Sequence, residues 1–204
     1  MIAIIDYGAG NIQSVKKALQ HIGCECLVTN DKETILSADG AVLPGVGSFG
    51  DTMDTLCSEG TDETVKAFIA SGKPFLGICL GLQLLFPASE ESPDAQGLHI
   101  FEGSIRRIPD GEGLKIPHMG WNNLDINPES RLLRGVGEHP YVYFVHSYYL
   151  SAQDSDIVAA RTTYGVRIDA AIEKGNVFAT QFHPEKSGET GLQILRNFAA
   201  IVEG

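Results

Sequence analysis

Cysteine is scarce in this chain: Cys24, Cys26, Cys57 and Cys79 are the only four in 204 residues. So few cysteines build no disulfide framework, and a reducing cytoplasm is the expected compartment. Long apolar runs are missing too. None approaches the roughly 20 residues a membrane helix needs. No basic segment precedes the first apolar stretch, so no signal peptide is expected. Basic residues are in short supply, with 15 Lys and Arg against 26 Asp and Glu and a net charge of −11. A nucleic-acid partner is therefore not expected, because phosphates need cations to neutralise them. Metal-binding sets are also lacking. His21, Cys24 and Cys26 come nearest, but their spacing is too tight and no fourth ligand is nearby. No metal and no cofactor are expected. Repeats, low-complexity segments and linkers are absent, and the length fits one domain over residues 1–204.

What is present is an ordinary globular composition, 43% hydrophobic and 20% charged, enough for a sizeable core. Residues 2–5, 26–28 and 41–43 read as short buried strands. Ile12, Val15, Ala18, Leu19 and Ile22 recur at helical spacing, and Gly23 closes that helix. Residues 49–56 and 62–70 read as helices, and 75–78 as a strand followed by a helix over 80–86. Residues 89–96 are acidic and Pro-containing, hence a loop. From 98 to 126 short alternating segments suggest hairpins. Residues 141–150 are strand-like, 156–171 hold two more strands, and 177–180 another. Leu192, Leu195, Phe198, Ala199 and Val202 mark a final amphipathic helix. The expected fold class is α/β, a central mostly parallel sheet flanked by helices, with additional antiparallel strands or hairpins. Ligands of such sheets sit beyond the carboxyl ends of the strands.

The strongest signal lies there. Gly77-Ile78-Cys79-Leu80-Gly81 joins the strand ending at residue 78 to the next helix. A nucleophile with glycine two residues away on either side is the nucleophile-elbow pattern, here with cysteine. The glycines spare the sharp turn from Cβ clashes. The sulfur would project near the positive end of the helix, which favours thiolate. Leu80 N–H, just after the nucleophile, can donate to an oxyanion. Gly45 and Gly47 flank Val46, so the Val46 peptide plane can rotate its N–H into the same site.

The second signal is His183-Pro184-Glu185, after the strand at 177–180. Pro184 biases His183 toward an extended conformation. Residues i and i+2 then share one face, so Glu185 can hold one tautomer of His183. The other ring nitrogen would face the thiol as general base.

Gly77-Ile78-Cys79-Leu80-Gly81-Leu82-Gln83 together with His183-Pro184-Glu185 resembles the class I glutamine amidotransferase family, the triad glutaminases. Four further stretches narrow the resemblance: Asp6-Tyr7-Gly8-Ala9-Gly10-Asn11, Leu43-Pro44-Gly45-Val46-Gly47-Ser48-Phe49, Pro117-His118-Met119-Gly120-Trp121-Asn122 and Tyr143-Phe144-Val145-His146-Ser147-Tyr148. They are similar to the glutaminase subunits of imidazole glycerol phosphate synthases, which serve histidine biosynthesis. The resemblance runs from residue 2 to about 200. It implies Cys79 as nucleophile, His183 as base and Glu185 as its orienter. It further implies that Gly45, Gly47, Gln83, Glu91, Ser147 and Tyr148 line a pocket for L-glutamine, with Glu91 on the substrate ammonium. Met119, Trp121, Asn122, Tyr143 and Lys186 would face a barrel-shaped cyclase, the other half of a heterodimer that consumes the ammonia.

Two other readings compete. Gly8-Ala9-Gly10 after the first strand, with Asp31 further on, is a partial dinucleotide fingerprint. Gln13 stands where its third glycine belongs, and this reading leaves Cys79, His183 and Glu185 unexplained. A stand-alone cysteine hydrolase, or an amidotransferase serving another synthase, keeps the triad. The stretches around Trp121 and Ser147 argue against it, by resemblance only.

Overall fold

A computed structural model of the chain describes residues 1–8 and 11–204. The Ala9–Gly10 part of the partial dinucleotide fingerprint lies outside the described residues. The first half alternates strand and helix: β1 (Ile2–Ile5), α1 (Ile12–His21), β2 (Cys26–Thr29), α2 (Lys32–Ser37), β3 (Gly40–Gly45), α3 (Phe49–Glu59), α4 (Thr61–Ala70) and β4 (Phe75–Cys79). A single turn, α5 (Leu80–Gln83), follows. Then come β5 (Ala88–Ser89), β6 (Gly103–Arg107), β7 (His118–Asn123), β8 (Asp125–Ile126), β9 (Tyr141–His146) and β10 (Tyr148–Ala152). The chain closes with β11 (Val158–Tyr164), β12 (Val166–Lys174), β13 (Val177–Thr180) and α6 (Gly188–Glu203).

Eight strands form the main sheet in the order β2-β1-β3-β4-β13-β12-β11-β8. The first five run parallel, and β12, β11 and β8 continue antiparallel. Both faces are covered, which is why the central strands are continuous apolar runs. Successive side chains of β1 go to opposite sides. Ala3 and Ile5 join the core under α2, α3 and α4, and Ile2 and Ile4 join the one under α1 and α6. The expected α/β architecture is the observed one. Among the described residues no helix is long and apolar enough to cross a membrane.

Three elements differ from the sequence reading. The apolar run over residues 80–86 is helical only to Gln83. The Leu84 and Leu85 carbonyls accept instead from Leu98 and Ile100 N–H, at 2.8 and 2.9 Å. Pro87 cannot extend a helix either. α2 was not foreseen, because six residues with one buried anchor, Ile35, carry no periodicity. Its signal is Asp31, whose carboxylate accepts from Thr34 N–H at 2.8 Å as an N-cap. Lastly, residues 98–126 do hold strands, but not locally paired hairpins. β6 pairs with β10 and β5, and β7 with β9.

Candidate active site

Register assembles the site. β4 lies between β3 and β13, parallel to both. Gly45 pairs with Cys79, and Thr180 with Ile78. The Gly45-Val46-Gly47 turn, Cys79 and the chain running on to His183 therefore leave the sheet side by side at one edge. Cys79 sits at φ 56°, ψ −105°, a conformation that side-chain-bearing residues rarely adopt and only hold when their surroundings enforce it. The enforcement is a space constraint. A Cβ on Gly77 would lie 2.6 Å from the Gly81 carbonyl oxygen, and one on Gly81 would run into the Leu43 carbonyl. Because α5 is one turn long, its macrodipole is small. The cation available to the sulfur is the His183 ring.

His183 is nearly inaccessible at 1% exposure. Its Nδ1 donates to Glu185 Oε1 at 2.8 Å. The approach differs from the expected extended face: His183 is extended at φ −100°, ψ 97°, but residues Pro184–Lys186 form a 3-10 turn that curls Glu185 back. Asn11 Nδ2 donates to the same carboxylate oxygen at 3.2 Å. The buried His183 Nε2 has no hydrogen-bond partner among the described residues, and His183 lines the same cavity as Cys79. Burial opposes charge on the ring, but the Cys79 sulfur and then the Glu185 carboxylate outweigh it. Together they hold the His183 pKa up to about 9. The backbone of His183 is clamped to β9. Its N–H donates to the Tyr143 carbonyl at 2.9 Å, and its carbonyl accepts from Ser187 Oγ at 2.6 Å.

The cavity at this edge measures about 340 Å³, a size fit for a small metabolite. Cys79, His183, Val46, Leu80 and Gly47 line it. So do Gln83, Glu91, Ser147 and Tyr148. Leu80 begins α5, so its N–H lacks a helical partner. Gly45 is not on the wall. It packs behind, where a Cβ would meet Leu80 Cβ at 2.8 Å. Glu91 is placed by Phe49 N–H, which donates to its Oε2 at 2.8 Å at the start of α3. Pro117, Val145 and His146 complete the wall and were not anticipated. Nor were three supports. Tyr7 Oη donates to the Pro44 carbonyl at 2.9 Å, bracing the turn before Val46. Burial, with Cys79 nearby, raises the Tyr7 pKa and keeps that donor protonated. Gln181 Nε2 donates to Cys79 Sγ at 3.7 Å. Asn11 was quoted within a motif but carried no role.

β7 and β9 form a separate two-stranded ribbon. Met119 and Trp121 stand on its outer side, 63% and 55% exposed. Trp121 meets the Tyr143 ring edge-on at 6.2 Å, and Lys186 Nζ lies 6.0 Å over that ring. Exposed Tyr141 extends the patch and was missed. Asn122 is turned to the other side, where its amide donates to the Thr163 carbonyl at 3.0 Å.

A larger cavity, about 650 Å³, opens at the opposite strand ends around Asn127 and Asn176 and holds none of the predicted residues. Its Arg131 is engaged by Glu173 at 2.7 Å and by the Phe178 ring. Among the described residues no three His, Cys, Asp or Glu side chains gather to hold a metal ion. Asp31, the acid of the dinucleotide reading, is occupied as the α2 cap.

Comparison with known proteins identifies the family. The family model of glutamine amidotransferase class-I matches residues 3–202. The imidazole glycerol phosphate synthase subunit HisH of Methanothermobacter thermautotrophicus is 55% identical, covering 99% of both chains. The protein of the same name from Caldanaerobacter subterraneus is 50% identical, over 100% of this chain and 99% of its own. Among solved structures, PurLQS from Thermotoga maritima superposes with a TM-score of 0.75 at 22% identity, covering 98% of this chain and 97% of that one. At that identity the likeness speaks for the fold. A family model spanning nearly the whole chain, and full-length relatives at half identity or more, establish that the chain belongs to the class-I glutamine amidotransferase family.

Proposed function

We propose that this chain is the glutaminase subunit of an imidazole glycerol phosphate synthase, working in the cytoplasm beside a cyclase subunit. The Cys79 thiolate attacks the carboxamide carbon of L-glutamine. The oxyanion that forms is met by the Val46 and Leu80 N–H groups. His183, protonated and oriented by Glu185, gives its proton to the leaving nitrogen, and ammonia departs. A glutamyl thioester remains on Cys79. His183 then takes a proton from water, which attacks the thioester and releases glutamate. Ammonia passes to the cyclase, which forms imidazole glycerol phosphate and aminoimidazole carboxamide ribonucleotide. Glu91 receives the substrate ammonium, and the Met119, Trp121, Tyr143 and Lys186 patch receives the cyclase.

One observation carries this reading. Cys79 and His183 leave adjacent parallel strands into one cavity, in a chain 55% identical to a relative named for that synthase subunit. The test is Cys79→Ala in the complex. Glutamine hydrolysis should vanish, while product formation from added ammonium salt survives. Hydrolysis near the wild-type rate in that variant would sink the mechanism.

A further inference from the structure

Two buried histidines stand beside the pocket and have no part in the chemistry above. His118 on β7 and His146 at the end of β9 face each other across the ribbon, 3% and 6% exposed. His146 Nδ1 lies 2.9 Å from the Tyr148 carbonyl oxygen. A carbonyl only accepts, so His146 carries a proton on Nδ1. Its Nε2 is then free to accept, and His118 Nδ1, 3.0 Å away, is the donor. That leaves His118 Nε2 as an acceptor, with Asn122 Nδ2 at 3.5 Å. A single proton arrangement satisfies every bond, with both rings neutral and protonated at Nδ1. Burial favours the neutral rings. It takes His118 down to about 4. It takes His146 down to about 3, aided by the nearby His118 and His183 against the pull of the Tyr148 carbonyl. Tyr164 and Phe144 sandwich the His118 ring at 4.0 and 4.8 Å and fix its plane.

The bond to Tyr148 matters because the same carbonyl accepts a second hydrogen bond, from Gln83 Nε2 at 3.0 Å. Gln83 also donates to Gln181 Oε1 at 3.1 Å, and Gln181 donates to Cys79 Sγ at 3.7 Å. Tyr148 is thus where a chain of bonds from the ribbon meets one from the nucleophile. Ser147 and Tyr148 are themselves pocket wall.

We propose that His146 is a positioning residue. Locked as the Nδ1–H tautomer by His118, it pins the Tyr148 carbonyl against Gln83 and so sets the Ser147 and Tyr148 wall that receives glutamine. This rests on the glutaminase reading. It concerns substrate binding and not the chemical step, since His146 does not touch the reacting atoms.

The test uses the complex with the cyclase and two variants. An asparagine amide nitrogen can stand where Nδ1 stands, and a glutamine side chain reaches where Nε2 stands. His146→Gln should raise the KM for glutamine about tenfold, with kcat changed by less than about threefold, because one buried bond to the wall is lost. His146→Asn keeps that donor and should stay within about threefold of wild type in both parameters. Equal KM effects in the two variants, an unchanged KM in His146→Gln, or a fall in kcat alone would overturn the proposal. Ring nitrogen-15 shifts of the wild-type protein decide the matter should His146→Gln not fold. A protonated Nδ1 and a bare Nε2 on His146 are expected, and the reverse overturns the proposal. Absence of glutamine hydrolysis by the wild-type complex would instead defeat the glutaminase reading itself.

Discussion

His183, the proposed base, has an environment that opposes its own burial. The Cys79 sulfur and the Glu185 carboxylate raise its pKa above that of an ordinary histidine, to about 9. The sign has a mechanistic consequence. Below that value the ring carries the proton needed by departing ammonia, and as pH rises through it that proton is lost. In ring NMR titrations His183 should titrate near 9 in the wild type and distinctly lower in Cys79→Ala, which removes the larger of the two stabilising partners. A pKa unmoved by that substitution would refute the assignment. At this scale the residues of the proposed triad stand out in the sequence because each carries a local mark, the flanking glycines or the His-Pro-Glu triplet, and the structure brings them together at one cavity. Asn11, Tyr7 and Gln181 do not stand out, because their roles depend on partners far away in the chain: Glu185, Pro44 and Cys79.

At the scale of elements, the turn at Cys79 is governed by close packing. Gly81 is the second residue of α5, and helix propensity alone says that alanine there should stabilise by up to about 1 kcal/mol. The Leu43 carbonyl occupies the space that its Cβ would need. Overpacking costs about 1–3 kcal/mol in a filled interior, so the clash should win. Gly81→Ala should lower the urea midpoint and slow glutamine hydrolysis together, and a stabilised, active variant would contradict this account. The same scale explains the strand reading. Residues 98–126 alternate as strands do, but alternation carries no information on the partner. β7 found β9, and β6 found β10, because the ribbon and the small sheet bury faces supplied by distant segments.

For the whole molecule, the arrangement ties the proposed docking patch to the proposed base. Tyr143 belongs to the exposed patch with Trp121 and Lys186, and its backbone also holds His183 through its carbonyl and through Ser187. Exposed aromatics of this kind anchor interfaces, and truncating one costs about 2 kcal/mol or more of binding. Adding the cyclase should shift Trp121 emission beyond the sum of the separate spectra. Trp121→Phe should abolish that shift and weaken glutaminase stimulation at limiting partner, with the urea stability of the free subunit unchanged because the ring is 55% exposed. A loss of stability with emission blind to the partner would move the docking surface elsewhere.

The amino-acid sequence by itself determined the parallel α/β core and the local turns: apolar runs, helical spacing and the glycines around Cys79 act between near neighbours. Only the tertiary structure decided which loops meet. The pairing of β4 with β3 and β13 brings residues from positions 45, 79 and 183 to one edge. It also turned Asn122 away from the patch and drew His118 and His146 into one buried chain. Those outcomes depend on long-range register and on where buried polar groups must find partners, which no local window of sequence contains.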